Sequence, residues 1–136
     1  MRMTKMAATL AVTSALLTST AVAKPHLRDV AEIDDNMLWV ALAVEISDQC
    51  DEIKPRTLKG LAFLNSLQSK AKRLGYSRDE IKAYVDSRAE KDRMRGRGEA
   101  YVKSKGLDPA QSDDLCSLGH AEIAAHSQIG VLLKAK

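Results

Sequence analysis

Aromatic residues are scarce in this chain: one Trp, one Phe and three Tyr in 136 positions. So few flat side chains leave little with which to line a sugar-stacking groove. Without aromatic interleaving, a basic segment also lacks the stacking platform that single-stranded nucleic acid uses. Cysteine is rarer still. Its two copies, Cys50 and Cys116, lie far apart, which excludes a Cys-x-x-Cys redox pair and a Cys-x-x-Cys-His haem attachment. No Gly-x-Ser-x-Gly elbow presents a serine nucleophile. Gly96 and Gly98 follow no strand, which removes a phosphate-binding loop. Internal repeats, heptad arrays and low-complexity tracts are absent, and no segment alternates apolar and polar residues long enough to read as sheet.

What is present begins with a leader. Met1-Arg2-Met3-Thr4-Lys5 is charged, the residues from Met6 to Leu17 are mostly apolar or small, and the stretch closes on Ala21-Val22-Ala23. These are the three parts of a secretory signal peptide, and they predict cleavage between Ala23 and Lys24. Thr9, Thr13, Ser14, Thr18, Ser19 and Thr20 interrupt the run, which falls short of the roughly 20 strongly apolar residues of a membrane span. The expectation is a signal peptide at 1–23 and a single helical domain at 24–136, periplasmic or secreted, with no stable membrane insertion after cleavage. The leader holds two of the 21 basic residues and none of the 18 acidic ones, so the mature domain is nearly neutral and its charge points to no polyanionic partner. In an oxidising compartment the two cysteines predict one disulfide, Cys50–Cys116. Closing so long a loop stabilises by about 4 kcal/mol in the chain-entropy account.

The mature part reads as helices throughout. Val30, Ile33, Met37, Val40 and Val44 recur at steps of three and four, the spacing of one helical face; Asp29 with Glu32, or Asp34 with Asp35, would cap its start. Pro55 suits the first position of a second helix, along which Leu58, Leu61, Leu64, Leu67, Ala71 and Leu74 form a stripe that Gly75 ends. Ser77 and Glu80 make a capping box, with Tyr76 and Ile81 placed as a hydrophobic staple, and open a short helix near 78–85. Ser87 and Glu90 repeat the box before a helix from about 88 to 105, stopped by Gly106 and Pro109. A last helix starts near Ser112, with Asp113 and Asp114 favoured by the dipole, and its apolar content runs through Leu115, Leu118, Ile123, Ile129, Leu132 and Leu133. The fold expected is all-α, a small bundle of four or five helices with one disulfide and no sheet.

No constellation in this framework carries chemistry. His26, His120 and His126 are the only histidines, and the last two stand about 240° apart on a helix, facing different ways; no metal site follows. The carboxylate pairs Asp34-Asp35, Asp51-Glu52 and Asp113-Asp114 sit where helices start or end, and acids at N-termini need no catalytic role. The densest basic run, Arg88, Lys91, Arg93, Arg95 and Arg97, is threaded with Glu90, Asp92 and Glu99. That threading gives pairings such as Asp92 with Arg95 and Arg95 with Glu99. Most of such a run is solvated face, and the residues Arg88, Lys91, Arg95 and Glu99 form a candidate polar docking face.

The strings Leu27-Arg28-Asp29-Val30-Ala31-Glu32-Ile33-Asp34, Gly75-Tyr76-Ser77, Ala83-Tyr84-Val85 and Gly98-Glu99-Ala100-Tyr101, with Cys50 and Cys116, resemble a family of small secreted bacterial proteins with a helical domain of unknown function. That resemblance spans nearly all of the mature chain and implies a helical, disulfide-linked exported protein; it brings no activity, cofactor or catalytic residue. Lys54-Pro55-Arg56 stands where it implies a serine-capped helix start. In outline alone, helical with one disulfide, the chain is also similar to small periplasmic acid chaperones. The function expected is a non-catalytic exported binding or accessory protein, with no cofactor and no nucleic acid, acting on an envelope protein. The rivals are a stress chaperone and, further off, a small hydrolase.

Overall fold

Five helices carry most of the chain in the computed structural model, which describes residues 22–136: α1 (Ala31–Gln49), α2 (Thr57–Arg73), α3 (Arg78–Asp86), α4 (Arg88–Ser104) and α5 (Ser112–Ala124). Two short strands, β1 (Ile53–Pro55) and β2 (Leu133–Ala135), and two 3-10 turns, Leu27–Asp29 and Gly130–Leu132, complete it. The predicted leader, apart from Val22 and Ala23, lies outside the described residues. No helix among the described residues is long and apolar enough to cross a membrane.

The helices form for the reasons their sequences suggest, with exceptions at their ends. α1 turns Ile33, Leu38, Leu42, Ala43 and Ile46 inward, so of the face expected from Val30, Ile33, Met37, Val40 and Val44 only Ile33 is buried, and Val44 is exposed. Its start has no side-chain cap: Val30 is the N-cap, and the chain enters through the preceding 3-10 turn, whose Leu27 carbonyl takes the Val30 N–H. α3 opens with the complete box, the Ser77 hydroxyl accepting from the Glu80 N–H and the Glu80 carboxylate accepting from the Ser77 N–H. At α4 only half of the second box forms. Ser87 accepts from the Glu90 N–H, while the Glu90 carboxylate turns to Arg93 and Arg28. Gly75, at φ +94°, supplies the left-handed residue that reverses the chain after α2.

Three expectations give way. Pro55 does not open a helix; it ends β1, opposite Leu133 in an antiparallel two-stranded ribbon, and α2 begins at Thr57 with no side-chain cap. The all-α bundle stands, but this short ribbon is added to it where no strand was expected, and Arg56 clamps its end by donating from its backbone N–H to the Leu132 carbonyl and from Nε to the Leu133 carbonyl. α5 stops at Ala124 instead of running through Leu133, and Gln111, not Ser112, is its N-cap. His126 adopts φ +50°, the Ser127 N–H caps the Glu122 carbonyl, and Gly130 lies so close on that carbonyl that any Cβ would collide with it. The chain thereby folds back and delivers Ile129, Leu132 and Leu133 to the core. The leucine stripe of α2 is only partly used: Leu67 and Ala71 are buried, but Leu58 is 85% exposed and Leu61 and Leu74 are exposed too.

Two apolar clusters result. The larger joins α1, α4, α5 and the ribbon around Ile46, Ile53, Leu115, Ile129, Leu133 and Val102, all essentially inaccessible to water. The Cys50–Cys116 disulfide, with Cα atoms 5.1 Å apart, fastens the end of α1 to the beginning of α5 beside it. The smaller cluster packs Leu27, Ile33, Leu67, Ala71, Tyr76 and Ile81 where α2 and α3 meet the start of α1.

Candidate docking site

α4 carries the basic run on two faces with opposite fates. Arg93 and Arg97, one turn apart, point at α1 and close on Asp34, which is only 3% exposed. Arg93 holds the Asp34 carboxylate through both terminal nitrogens, Arg97 Nη1 reaches it at 2.5 Å, and the Tyr84 hydroxyl donates to it at 2.6 Å. Arg97 also pairs with Asp35 at 2.6 Å, and Arg93 with Glu90, which in turn meets Arg28. Burial alone would push the Asp34 carboxyl up, but the Arg93 and Tyr84 hydrogen bonds and the two guanidinium charges outweigh it and leave the carboxyl below its ordinary value. The same contacts push Tyr84 up, chiefly through burial and the Asp34 hydrogen bond, and push Arg93 up, chiefly through Asp34. These charges are matched to one another inside the protein. They are structural cement between α1, α3 and α4.

The other face of α4 rims a groove of about 480 Å³ between α4 and α1. Lys91, Arg95 and Glu99 stand along its edge, while Arg88, also exposed, does not line it. Three of the four predicted docking residues therefore share one feature. Arg95 pairs with Asp92 at 3.3 Å, as expected, but its predicted pairing with Glu99 does not form. The floor was not anticipated. It comes from Met37, Val40 and Val44 of α1, Met94 of α4 and Val85 at the end of α3, with Val44 49% and Val85 44% exposed. A signal for it existed: besides Met1, Met3 and Met6 of the leader, Met37 and Met94 are the chain's only methionines, and both lie here. Gly98 helps set the groove's depth by letting α4 approach α1, since a Cβ there would touch Leu42 at 3.4 Å; Gly96 faces open space.

Several of the remaining polar residues have local partners. His120 Nε2 contacts Glu52 at 2.9 Å, Asp114 accepts the Asp108 N–H at 2.7 Å, and the buried Glu122 accepts the Tyr101 hydroxyl at 2.5 Å. Burial and that carboxylate push the Tyr101 hydroxyl up to about 12. No group of three or more His, Cys, Asp or Glu residues converges as a metal site would require among the described residues. A second cleft, about 600 Å³, lies where residues 24–28 cross α3. The chain itself fills part of that edge: Lys24 Nζ donates to the Gly75 carbonyl and pairs with Glu80 at 2.8 Å, and the Tyr76 hydroxyl donates to the Pro25 carbonyl.

Comparison with known proteins places the chain without assigning it chemistry. The model of a family described only as a family of unknown function (DUF5333) matches residues 25–134. No curated protein and no solved structure matches.

Proposed function

The chain belongs to this family of unknown function, so its role has to be argued from its own geometry, and we propose that it is a non-catalytic accessory protein of the cell envelope that acts by docking another protein. The observation that carries this reading is the α1–α4 groove, an open apolar floor edged by charged side chains. Apolar surface left uncovered beside a polar rim marks interaction sites. Elsewhere the buried ionisable groups satisfy each other: Asp34 with Arg93, Arg97 and Tyr84, and Glu122 with Tyr101. Among the described residues no buried side-chain nitrogen or oxygen lacks a partner, whereas a general acid or nucleophile is recognised by a group poised toward substrate. Export is supported by the leader sequence and by the disulfide, which persists in oxidising compartments.

A photoreactive residue in place of Lys91, on the groove edge, tests the reading in the living cell against the same residue in place of Lys72 on α2. One stoichiometric adduct from position 91 and none from 72 is the expected result. Equal labelling from both positions, or measurable turnover of cell-wall glycan by the purified protein, would overturn it.

A further inference from the structure

The groove's two walls share one periodicity. Met37, Val40 and Val44 line it from α1 at steps of three and four, and on α4 the pairs Lys91 with Met94 and Arg95 with Glu99 repeat those steps. Ridges so spaced leave holes that the side chains of a third helix fill. From Lys91 to Val102 the α4 wall rises about 16 Å, or three turns, which sets the length of the occupant at about eleven residues. Methionine on the floor suits a surface that must fit another protein's side chains, because the thioether chain is flexible and polarisable.

The rim charges sort lengthwise. At one end, where Asp34 meets Arg93 and Tyr84, stand Lys91 and Arg95, with Glu90 beside them but taken up by Arg28 and Arg93; toward the disulfide, beside Val102 and Leu115, stand Glu45 and Glu99. Among the described residues, Lys91, Glu45 and Glu99 make no ion pair within 4.0 Å, and Arg95 has only its surface pairing with Asp92. With Glu90 neutralised inside the protein, the remaining rim charges have one sign at each end, which does not suit a phosphate polymer or a single-headed acyl chain. They match a peptide that is acidic at one end and basic at the other. That is also the charge order a helix favours, acids in its first turn and bases in its last, because of the macrodipole. In a second copy of this chain, α2, the helix that bears the exposed Leu58 and Leu61, lacks that order because it has no acidic residue in its first turn.

We propose that the α1–α4 groove receives one amphipathic helix of a partner protein, its acidic N-terminal turn beside Lys91 and Arg95 and its basic C-terminal turn beside Glu45 and Glu99. The inference rests on the docking reading above and adds the class and polarity of the occupant. The test uses the oxidised protein carrying ¹³C-methyl methionine, so that Met37 and Met94 report on the groove. The probes are two stapled twelve-residue helices with one leucine stripe, one acidic-to-basic from its N-terminus and one with that order reversed, together with palmitate. The acidic-to-basic helix is expected to shift both methyl signals and to bind at least tenfold more tightly than the reversed one. Lys91→Glu, at an exposed position, is expected to erase that preference. Equal affinity for the two helices, or binding that leaves the methyl signals unmoved, overturns the helix assignment. Shifts with palmitate alone overturn it too while leaving the groove a docking site, and concentration-dependent shifts without any probe would name a second copy instead. If no probe moves either methyl, the docking reading falls with it.

Discussion

The two ends of this molecule are held together by different forces. Around the disulfide, α1, α5 and the ribbon meet through side chains that water does not reach, Ile46, Ile53, Leu115, Ile129 and Leu133. Where α3 crosses the start of α1, the apolar cluster is smaller and polar contacts surround it: Asp34 with Arg93, Arg97 and Tyr84, Glu90 with Arg28, and Lys24 with Glu80. The first end is sensitive to redox state and to side-chain volume, the second to charge. A fold with so few aromatic side chains has little other means of tying α3 down, since this short helix buries only Ile81.

The largest expected effect breaks the first end. Replacing both cysteines by serine should cost about 4 kcal/mol of stability in denaturant unfolding, and the loss should be the same at low and high salt. Asp34→Asn attacks the second. It strands two guanidiniums, and because Arg93 and Arg97 are 28% and 33% exposed and can rehydrate, the expected cost is about 3 kcal/mol, the low end for a broken buried pair. Hydrogen exchange should then rise first in α3, with α5 still protected; the opposite order would erase the distinction between the ends.

Acid should reveal the same division. The carboxyls of Asp34, Glu80, Asp86 and Glu90 all lie below their ordinary values in the folded protein. A group whose folded pKa is depressed adds stability that is complete above its unfolded value, about 4, and is lost as pH falls through the folded value. Stability should be flat from about pH 5 to 8 on this account and fall below about pH 4, with α3 loosening before the disulfide end. An acid-triggered chaperone would have to act below that range. Tyr101→Phe is a smaller lesion at the first end: it leaves the buried Glu122 carboxylate without its 2.5 Å partner and should cost about 1–2 kcal/mol in thermal unfolding. Smallest of all, Lys91→Glu should change stability by less than about 0.5 kcal/mol, which separates the groove rim from the cement of Arg93 and Arg97 on the other face of α4.

Local signals carried much of the architecture. The Ser77–Glu80 box, Gly75 and the Ser87 cap of α4 act over a few residues, so each was legible; the periodicity of α1 showed a helix but not which face is buried. The ribbon was not, because Ile53-Lys54-Pro55 and Leu133-Lys134-Ala135 are three residues each and their pairing joins residues as far apart as 53 and 135. Proline is tolerated there because this two-stranded ribbon leaves β1 with a free edge. The stripe of α2 showed that a helix forms but not how much of it is covered, a question only the positions of its neighbours answer. For the basic run, the sequence contains the one-turn spacing of Arg93 and Arg97 but not their target, Asp34, some sixty residues earlier. The rim residues of the candidate site were thus readable as surface, while its floor, built from two helices distant in sequence, was not.

The disulfide also gives the chain a covalent topology. Cys50 and Cys116 close a ring that contains β1, α2, α3 and α4, with α1 and the C-terminal segment hanging from its junction. A protease that cuts once between the two cysteines opens the ring but releases no fragment, so both pieces stay tethered at the junction where the apolar contacts are densest. In an environment rich in proteases, an exposed turn such as the one at Gly75, between α2 and α3, can be nicked without separating the two walls of the groove.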